Sequence, residues 1–329
     1  MQANVTVLGA GSWGSALAIL LAKNGLKVHL WEFDVELAAS LAKDRINERY
    51  LPDVPFPDNI AVYSDLKTAV RASDDLLFVV PSHAFEATLR TAKVYFTENT
   101  RISWATKGFI DKYVVISKLV EEECGNISRA VISGPTFAVE VAANLPTAVT
   151  IAGNDDDFIG DLIKYLHSDT FRPYHCSDMV GVQVSGAVKN VLAIAVGISD
   201  GMGFGANARA ALITRGLVEL ARLGETFGAN KETFMGLAGM GDLVLTCTDS
   251  KSRNRRFGLA LGAGKDQETA RREINQVIEG IDAAKEAYLL AKRYQIEMPI
   301  CEQVYKIIYE GLDPNSAVVA LLNRTIKEE

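Results

Sequence analysis

The sequence predicts an α/β protein in which a doubly wound, mostly parallel sheet is followed by an all-α C-terminal domain. Two observations predict this fold class. Short apolar runs alternate with helix-period segments through the first half of the chain, and helical patterns alone continue beyond residue 178. A chain of 329 residues is also long enough to build two cores. We therefore expect one domain over residues 1–178 and a second over residues 179–329.

Short apolar runs mark the strands of the first domain. They predict seven strands, at residues 4–8, 27–32, 60–63, 75–80, 101–105, 130–133 and 148–152. Trp13, Leu17 and Leu20 recur at helical spacing after the first strand, and Gly25 stands where a helix commonly ends. Further helices are expected at residues 35–43, 84–95 and 114–123. Three prolines within residues 50–59 indicate an ordered surface loop rather than a strand.

Helical periodicity marks the second domain. It predicts helices at residues 179–196, 207–225, 252–261, 282–294, 301–310 and 316–323.

Composition excludes several classes of protein. The net charge of -7 argues against nucleic acid and anionic membrane surfaces as partners. Four scattered cysteines without a C-x-x-C pair predict neither a metal site nor a disulfide framework, and fit a reducing compartment. The apolar run 187–198 is shorter than the roughly 20 residues that span a bilayer. We expect a cytoplasmic protein without membrane insertion.

A Gly9-x-Gly11-x-x-Gly14 motif lies between the first strand and the helix after it. The first glycine permits a tight turn, the second lets a pyrophosphate approach the backbone, and the third lets helix and strand pack closely. The start of the helix, at Ser12 and Trp13, supplies N–H groups and a positive dipole for phosphates. We therefore expect a Rossmann-like dinucleotide site, with a ligand-free glycine turn as the alternative.

The end of the second strand bears on the choice of dinucleotide. An acidic residue there accepts a hydrogen bond from a ribose 2′-hydroxyl and repels a 2′-phosphate. Glu32 or Asp34 could have this role and would favour NAD. Asp34 could equally be the N-cap of the next helix.

Lys189 is surrounded in sequence by apolar and small residues, so the helix face that carries it is expected to be at least partly buried. A buried ammonium needs a close carboxylate or exchanges its proton readily, which suits a general acid–base. A lysine whose head reaches solvent is the alternative. Lys107 and Gly134 each follow a predicted strand, where ligands bind in open parallel sheets, although ordinary surface loops would look similar.

Two polar segments stand out in the helical half. Asp242 lies between glycines and an apolar run. The segment 252–256 clusters three arginines with Ser252 and Asn254 in an acidic protein, and such donors can hold a phosphate. A solvated helix start is the alternative interpretation of that cluster.

Taken together, these segments resemble the bacterial NAD(P)-dependent glycerol-3-phosphate dehydrogenases. Matching motifs span nearly the whole chain and read GAGSWG, ATKG, SGPTFA, KN, GMGDL, SRN and EG in that order. The resemblance implies reversible reduction of dihydroxyacetone phosphate to sn-glycerol 3-phosphate by NAD(P)H, supplying glycerophospholipid synthesis, in a homodimer.

The resemblance also implies residue roles. Lys189 matches the proton donor and acceptor, with Lys107 and Asp242 as its catalytic partners. The implied substrate contacts are Lys107, Gly134, Thr136, Lys189, Asp242, Thr246, Ser252, Arg253 and Asn254. The implied cofactor contacts are Gly9, Gly11, Ser12, Trp13, Gly14, Phe33, Lys107, Ala138, Arg253, Val277 and Glu279.

Two departures from the family pattern matter. Many relatives carry serine where this chain has Thr136, and the hydroxyl is kept. Many carry a basic residue where this chain has Phe33, which leaves the preference for NAD or NADP open. The other functions considered are a 3-hydroxyacid dehydrogenase of similar build and a dinucleotide-sensing module without turnover. The arginine cluster favours a phosphorylated substrate over the former.

Overall fold

The computed structural model describes residues 3–110 and 115–324. The chain forms two compact units, Met1–Gln183 and Val184–Glu329, called unit 1 and unit 2 below. The predicted division after residue 178 lies just before this point.

Among its described residues, unit 1 contains ten strands, seven complete α-helices and a 3-10 helix at Lys93–Tyr95. The strands are β1 Asn4–Leu8, β2 Lys27–Trp31, β3 Ile46–Asn47, β4 Leu51–Pro55, β5 Ile60–Tyr63, β6 Asp75–Phe78, β7 Arg101–Trp104, β8 Arg129–Ser133, β9 Thr147–Gly153 and β10 Phe171–His175. The helices are α1 Ser12–Lys23, α2 Val35–Asp44, α3 Leu66–Arg71, α4 Ser82–Ala92, α5 Ile116–Cys124, α6 Ala138–Ala142 and α7 Asp156–Leu166.

Eight of these strands form one sheet, in the order β10-β9-β8-β7-β6-β1-β2-β5. Every neighbouring pair is parallel except β8 and β9, which are antiparallel. Strand order reverses between β1 and β6. The predicted Rossmann-like fold is confirmed, and β1 ends at the switch point where such sheets bind ligands.

One sequence prediction in unit 1 is wrong. Leu51–Pro55, inside the proline-rich segment expected to be a loop, is the strand β4 and pairs antiparallel with β3. Proline is tolerated because a two-stranded ribbon leaves one side of each strand without a partner, where no N–H donor is needed. Of the helix expected at residues 114–123, Val114 lies outside the described residues, and α5 covers Ile116–Cys124.

The described residues of unit 2 form helices joined by loops, and no strand. Its helices are α9 Ala206–Thr226, α10 Asp242–Thr248, α11 Arg253–Gly262, α12 Gln267–Ile274, α13 Glu279–Tyr294, α14 Pro299–Tyr309 and α15 Pro314–Leu322, and most of α8 Met179–Gly201 belongs to it. The helices α10 and α12 were not predicted.

The helices α8 and α11 cross at very close range. Gly197 and Gly201 on α8 face Gly258 and Gly262 on α11, and a Cβ atom at any of the four would overlap backbone atoms of the other helix. The helix α8 has 23 residues and a mean hydropathy of 1.6, so by length and composition alone it could span a membrane. Since 83% of its most apolar window is buried inside the protein, we interpret it as a core helix.

Candidate functional site

The glycine turn has the backbone geometry that a dinucleotide requires. Gly9 has φ +112°, a conformation that L side chains rarely adopt, and a Cβ on Gly14 would overlap the carbonyl oxygen of Gly9. Gly11, by contrast, has open space where its Cβ would be. The first and third glycines therefore close the turn, while the second leaves room for a ligand to approach the backbone.

The start of α1 fits a phosphate group. Gly11 is the N-cap of α1 and provides no side-chain acceptor for the N–H groups of the first turn, where Ser12 and Trp13 lie. Among the described residues, the buried indole Nε1 of Trp13 has no hydrogen-bond partner. These features fit the pyrophosphate of a nicotinamide dinucleotide.

The peptide groups of Ala10 are held from two sides. Its N–H donates to Oε2 of Glu32 at 3.0 Å, and its carbonyl oxygen accepts from Nδ2 of Asn47 at 2.8 Å. The same Asn47 amide also donates to Oγ of Ser15 at 2.8 Å, and Asn47 is fully buried. Sequence reasoning missed Asn47 because it lies in the short strand β3, next to the proline-rich segment, without any motif to mark it.

The structure separates the two acidic candidates at the end of β2. Asp34 is the N-cap of α2 and accepts from the backbone N–H groups of Glu36 and Leu37, which confirms the structural interpretation of this residue. The side chain of Glu32 instead faces the glycine turn through Ala10. Phe33, between them, is 81% exposed.

Lys107 and Gly134 meet at the carboxyl ends of the neighbouring strands β7 and β8. The Lys107 ammonium donates to the carbonyl oxygen of Gly134 at 3.1 Å. The hydroxyl of Thr136 lies 3.4 Å from the same oxygen, and Ala138 begins the short helix α6. Lys107, Gly134 and Thr136, three of the predicted site residues, therefore form one group in unit 1.

In unit 2, Lys189 is buried beside a carboxylate. The side chain is 7% exposed, and its ammonium lies 2.5 Å from Oδ1 of the fully buried Asp242 and 3.0 Å from Oγ1 of Thr246. The Thr246 hydroxyl donates to the backbone carbonyl of Asp242 at 2.6 Å. Desolvation would be costly for either charge alone, so the pair places an ammonium at a fixed position among apolar surroundings.

Asp242 is positioned by an unusual stretch of backbone. A single π-helical turn, Leu237–Gly241, runs directly into α10, whose first residue is Asp242. A Cβ on Gly239 would overlap the backbone of Phe234, so the turn requires glycine there. Turns of this type inside or beside helices are frequent at functional sites.

A chain of hydrogen bonds connects the residue after Lys189 to the starts of two helices. Asn190 donates to Oε2 of Glu279 at 3.1 Å and accepts from Nδ2 of Asn254 at 2.9 Å. Oδ1 of Asn254 in turn accepts from the N–H of Gly280 at 2.9 Å. The network fixes Asn254 and Glu279, two predicted site residues, relative to α8. Sequence reasoning had not singled out Asn190 as a site residue, although it belongs to a motif.

The arginine cluster divides into different roles. Arg255 pairs through Nε and Nη2 with Oδ2 of Asp200, at 3.1 and 2.5 Å, so it is not a free anion ligand. Ser252 is the N-cap of α11. Arg253 is half-buried and has no ion-pair or hydrogen-bond partner within the described part of the chain. Of the three arginines in this cluster, Arg255 is therefore engaged within the protein, and Arg253 remains the arginine that the sequence analysis assigned to the site. Val277, predicted to contact the cofactor, is 52% exposed.

Two family models cover most of the chain. The model of the NAD-dependent glycerol-3-phosphate dehydrogenase N-terminus matches residues 4–159, and that of the C-terminus matches residues 178–319.

Relatives of similar length agree with these matches. A glycerol-3-phosphate dehydrogenase (NAD(P)+) of Aeromonas hydrophila is 56% identical over 331 residues, covering 100% of this chain and 99% of that protein. One from Colwellia psychrerythraea is 54% identical over 333 residues, with coverage of 100% and 99%. A crystal structure of glycerol-3-phosphate dehydrogenase from Coxiella burnetii is similar with a TM-score of 0.96 and 50% identity, covering 98% of this chain and 99% of that one.

Proposed function

This chain belongs to the NAD-dependent glycerol-3-phosphate dehydrogenase family, and from that premise we propose that it reduces dihydroxyacetone phosphate to sn-glycerol 3-phosphate with NAD(P)H. The reaction is reversible, and its product supplies glycerophospholipid synthesis. The observation that carries the proposal is the buried ammonium of Lys189, held between Asp242 and Thr246.

Lys189 serves as the proton donor in the direction of reduction. A nicotinamide, when bound, would supply a hydride to the ketone carbon, and negative charge would develop on the ketone oxygen. An ammonium held in a dry environment stabilises that charge and then gives its proton to the oxygen, which yields the alcohol. Asp242 keeps the ammonium oriented, and Lys189 regains a proton from solvent after product leaves.

Arg253 holds the substrate phosphate, because its guanidinium is half-buried and has no competing carboxylate within residues 3–110 and 115–324. Ser252 and Asn254 flank it at the start of α11, where N–H groups and the helix dipole favour an anion. Holding the remote phosphate orients the ketone, so that binding energy contributes to the rate. The other substrate contacts are Lys107, Gly134, Thr136, Lys189, Asp242 and Thr246.

The dinucleotide is bound chiefly by residues 1–178, and residues 179–329 supply the catalytic lysine and the phosphate ligands. The cofactor contacts are Gly9, Gly11, Ser12, Trp13, Gly14, Phe33, Lys107, Ala138, Arg253, Val277 and Glu279. We further propose that the enzyme is a cytoplasmic homodimer without membrane insertion.

Turnover tests the proposed reaction. The purified chain should oxidise NADH or NADPH when dihydroxyacetone phosphate is added, and not when a small 3-oxoacid replaces it. Lys189→Ala should lower kcat by about 10²- to 10⁴-fold, because a positioned acid–base group contributes that much. Lys285→Ala, which removes an exposed lysine of the same unit, is the matched control. Wild-type kcat in Lys189→Ala would exclude the proton-donor role.

The phosphate ligand has its own test. Arg253→Ala should raise KM for dihydroxyacetone phosphate by about 10- to 150-fold, since a hydrogen bond to a charged group contributes about 1.5–3 kcal/mol. Arg256→Ala, an exposed neighbour on α11, should leave KM near the wild-type value. Equal effects of the two substitutions would contradict the assignment of Arg253.

A further inference from the structure

We propose that Glu32 makes this enzyme bind NAD(H) in preference to NADP(H). The inference rests on the proposed function, which leaves the choice of dinucleotide open. It concerns a specificity-determining residue rather than a catalytic one.

The carboxylate of Glu32 is fixed at the position that faces the adenosine ribose in folds of this type. Glu32 follows β2, which lies beside β1 in the sheet and so brings its side chain to the glycine turn. Oε2 accepts from the N–H of Ala10 at 3.0 Å, and Oε1 accepts from the N–H of Asp34 at 3.1 Å. Both oxygens are therefore held by backbone donors, and the carboxylate cannot easily turn away.

These two bonds leave the carboxylate able to recognise a ribose. An ionised carboxylate has about four acceptor positions, of which the backbone occupies two. The remaining positions can accept from the 2′- and 3′-hydroxyls of NAD(H). A 2′-phosphate has no hydrogen to donate as a dianion, and its charge would meet a like charge that is fixed in place.

The charged side chains near Glu32 do not reverse the preference for NAD(H). Asp34 adds a second negative charge, and its oxygen already accepts the N-cap hydrogen bonds of α2. Arg49 is the cation beside it, with Nη1 3.7 Å from Oδ2 of Asp34. Glu32, Asp34 and Arg49 together carry one net negative charge. Phe33, at 81% exposure, contributes no charge at all to the surface between the two acids.

Equilibrium binding without substrate tests the inference directly. Isothermal titration calorimetry with NADH and with NADPH should give a Kd for NADPH at least about tenfold higher in the wild-type protein. Glu32→Gln removes the charge but keeps an oxygen to accept from Ala10. It should bring the two Kd values close to each other, mainly through tighter NADPH binding. Glu36→Gln, at an exposed position of α2, removes the same charge nearby and should keep the wild-type ratio.

Each other outcome contradicts the inference. Equal or tighter binding of NADPH by the wild-type protein overturns it without any variant. A wild-type ratio of Kd values in Glu32→Gln removes Glu32 as the cause. Loss of both dinucleotides in a folded Glu32→Gln protein would show that the side chain is structural rather than selective. Failure of the proposed function is distinguishable, because both dinucleotides would bind while neither supported reduction of dihydroxyacetone phosphate.

Discussion

A buried carboxyl in the helical unit makes stability depend on pH, and Glu219→Gln tests this. Glu219 lies on α9 and is 3% exposed. Its two oxygens accept from the backbone N–H groups of Ile300, at 2.7 Å, and Cys301, at 3.1 Å, at the start of α14. Burial outweighs these hydrogen bonds and raises the pKa of Glu219 from 4.5 to about 7.

The sign of the effect follows from proton binding. Between pH 4.5 and about 7 the folded protein retains a proton at Glu219 that the unfolded chain has released. The contribution of this bound proton to the free energy of unfolding is fully present below pH 4.5 and is lost as the pH rises through about 7. At about 1.36 kcal/mol per pKa unit, the raised pKa corresponds to a contribution of about 3 kcal/mol to the free energy of unfolding. About 2 kcal/mol of this falls between roughly pH 5.5 and pH 8.

Urea unfolding followed by circular dichroism at several pH values measures this change. As the pH rises from about 5.5 to 8, the free energy of unfolding of Glu219→Gln should gain about 2 kcal/mol relative to wild type, because glutamine does not ionise. Glu225→Gln, at an exposed position on the same helix, should follow the wild-type curve. Parallel curves for Glu219→Gln and wild type would refute the reasoning.

Three further substitutions test packing and the glycine turn. Asn47→Ala removes two buried hydrogen bonds beside the glycine turn. It should raise the Kd for the dinucleotide, measured by calorimetry, by about 5- to 30-fold. An unchanged Kd would show that the turn keeps its shape without Asn47. Gly258→Ala places a Cβ against the backbone of α8 and should lower the free energy of unfolding by about 1–3 kcal/mol or more in urea. Gly160→Ala, on α7 with open space around its Cβ, should raise that free energy by about 0.5–1 kcal/mol, and a loss there would contradict the space seen around it.

Several elements could be predicted closely from their apolar positions, but others were missed. Among these is α7, although it buries an apolar face that includes Phe158 and Leu162. The strands β1 and β5 were predicted at their observed bounds. The strand β10 reads FRPYH and interrupts its apolar positions with arginine and proline, so its alternation is obscured. The helix α12, QETARREI, buries only Ala270 and Ile274 among charged neighbours, and so few apolar positions define no stripe.

The candidate site shows the same limit at the level of single residues. A lysine in an apolar segment predicts that some carboxylate lies near it, but the partner of Lys189 is 53 residues away along the chain. Only the packing of α8 and α10 in the folded protein shows that Asp242 is this partner. The acids at the end of β2 were likewise ambiguous, since Glu32 and Asp34 are two residues apart and either could have faced a ribose, while Asp34 could equally have capped the next helix.

The bonds around Ala10 explain why the turn needs more than glycines. A trans peptide is planar, so the N–H of Gly11 points opposite to the carbonyl of Ala10. Asn47 and Ser15 both donate to that carbonyl, at 2.8 and 3.3 Å, which fixes the plane of the peptide. The N–H of Gly11 must then point away from Asn47. Gly11 is also the residue with open space at its Cβ position. Glycines make the turn possible, but the buried amide of Asn47, which lies outside the glycine motif, fixes the direction in which the N–H of Gly11 points.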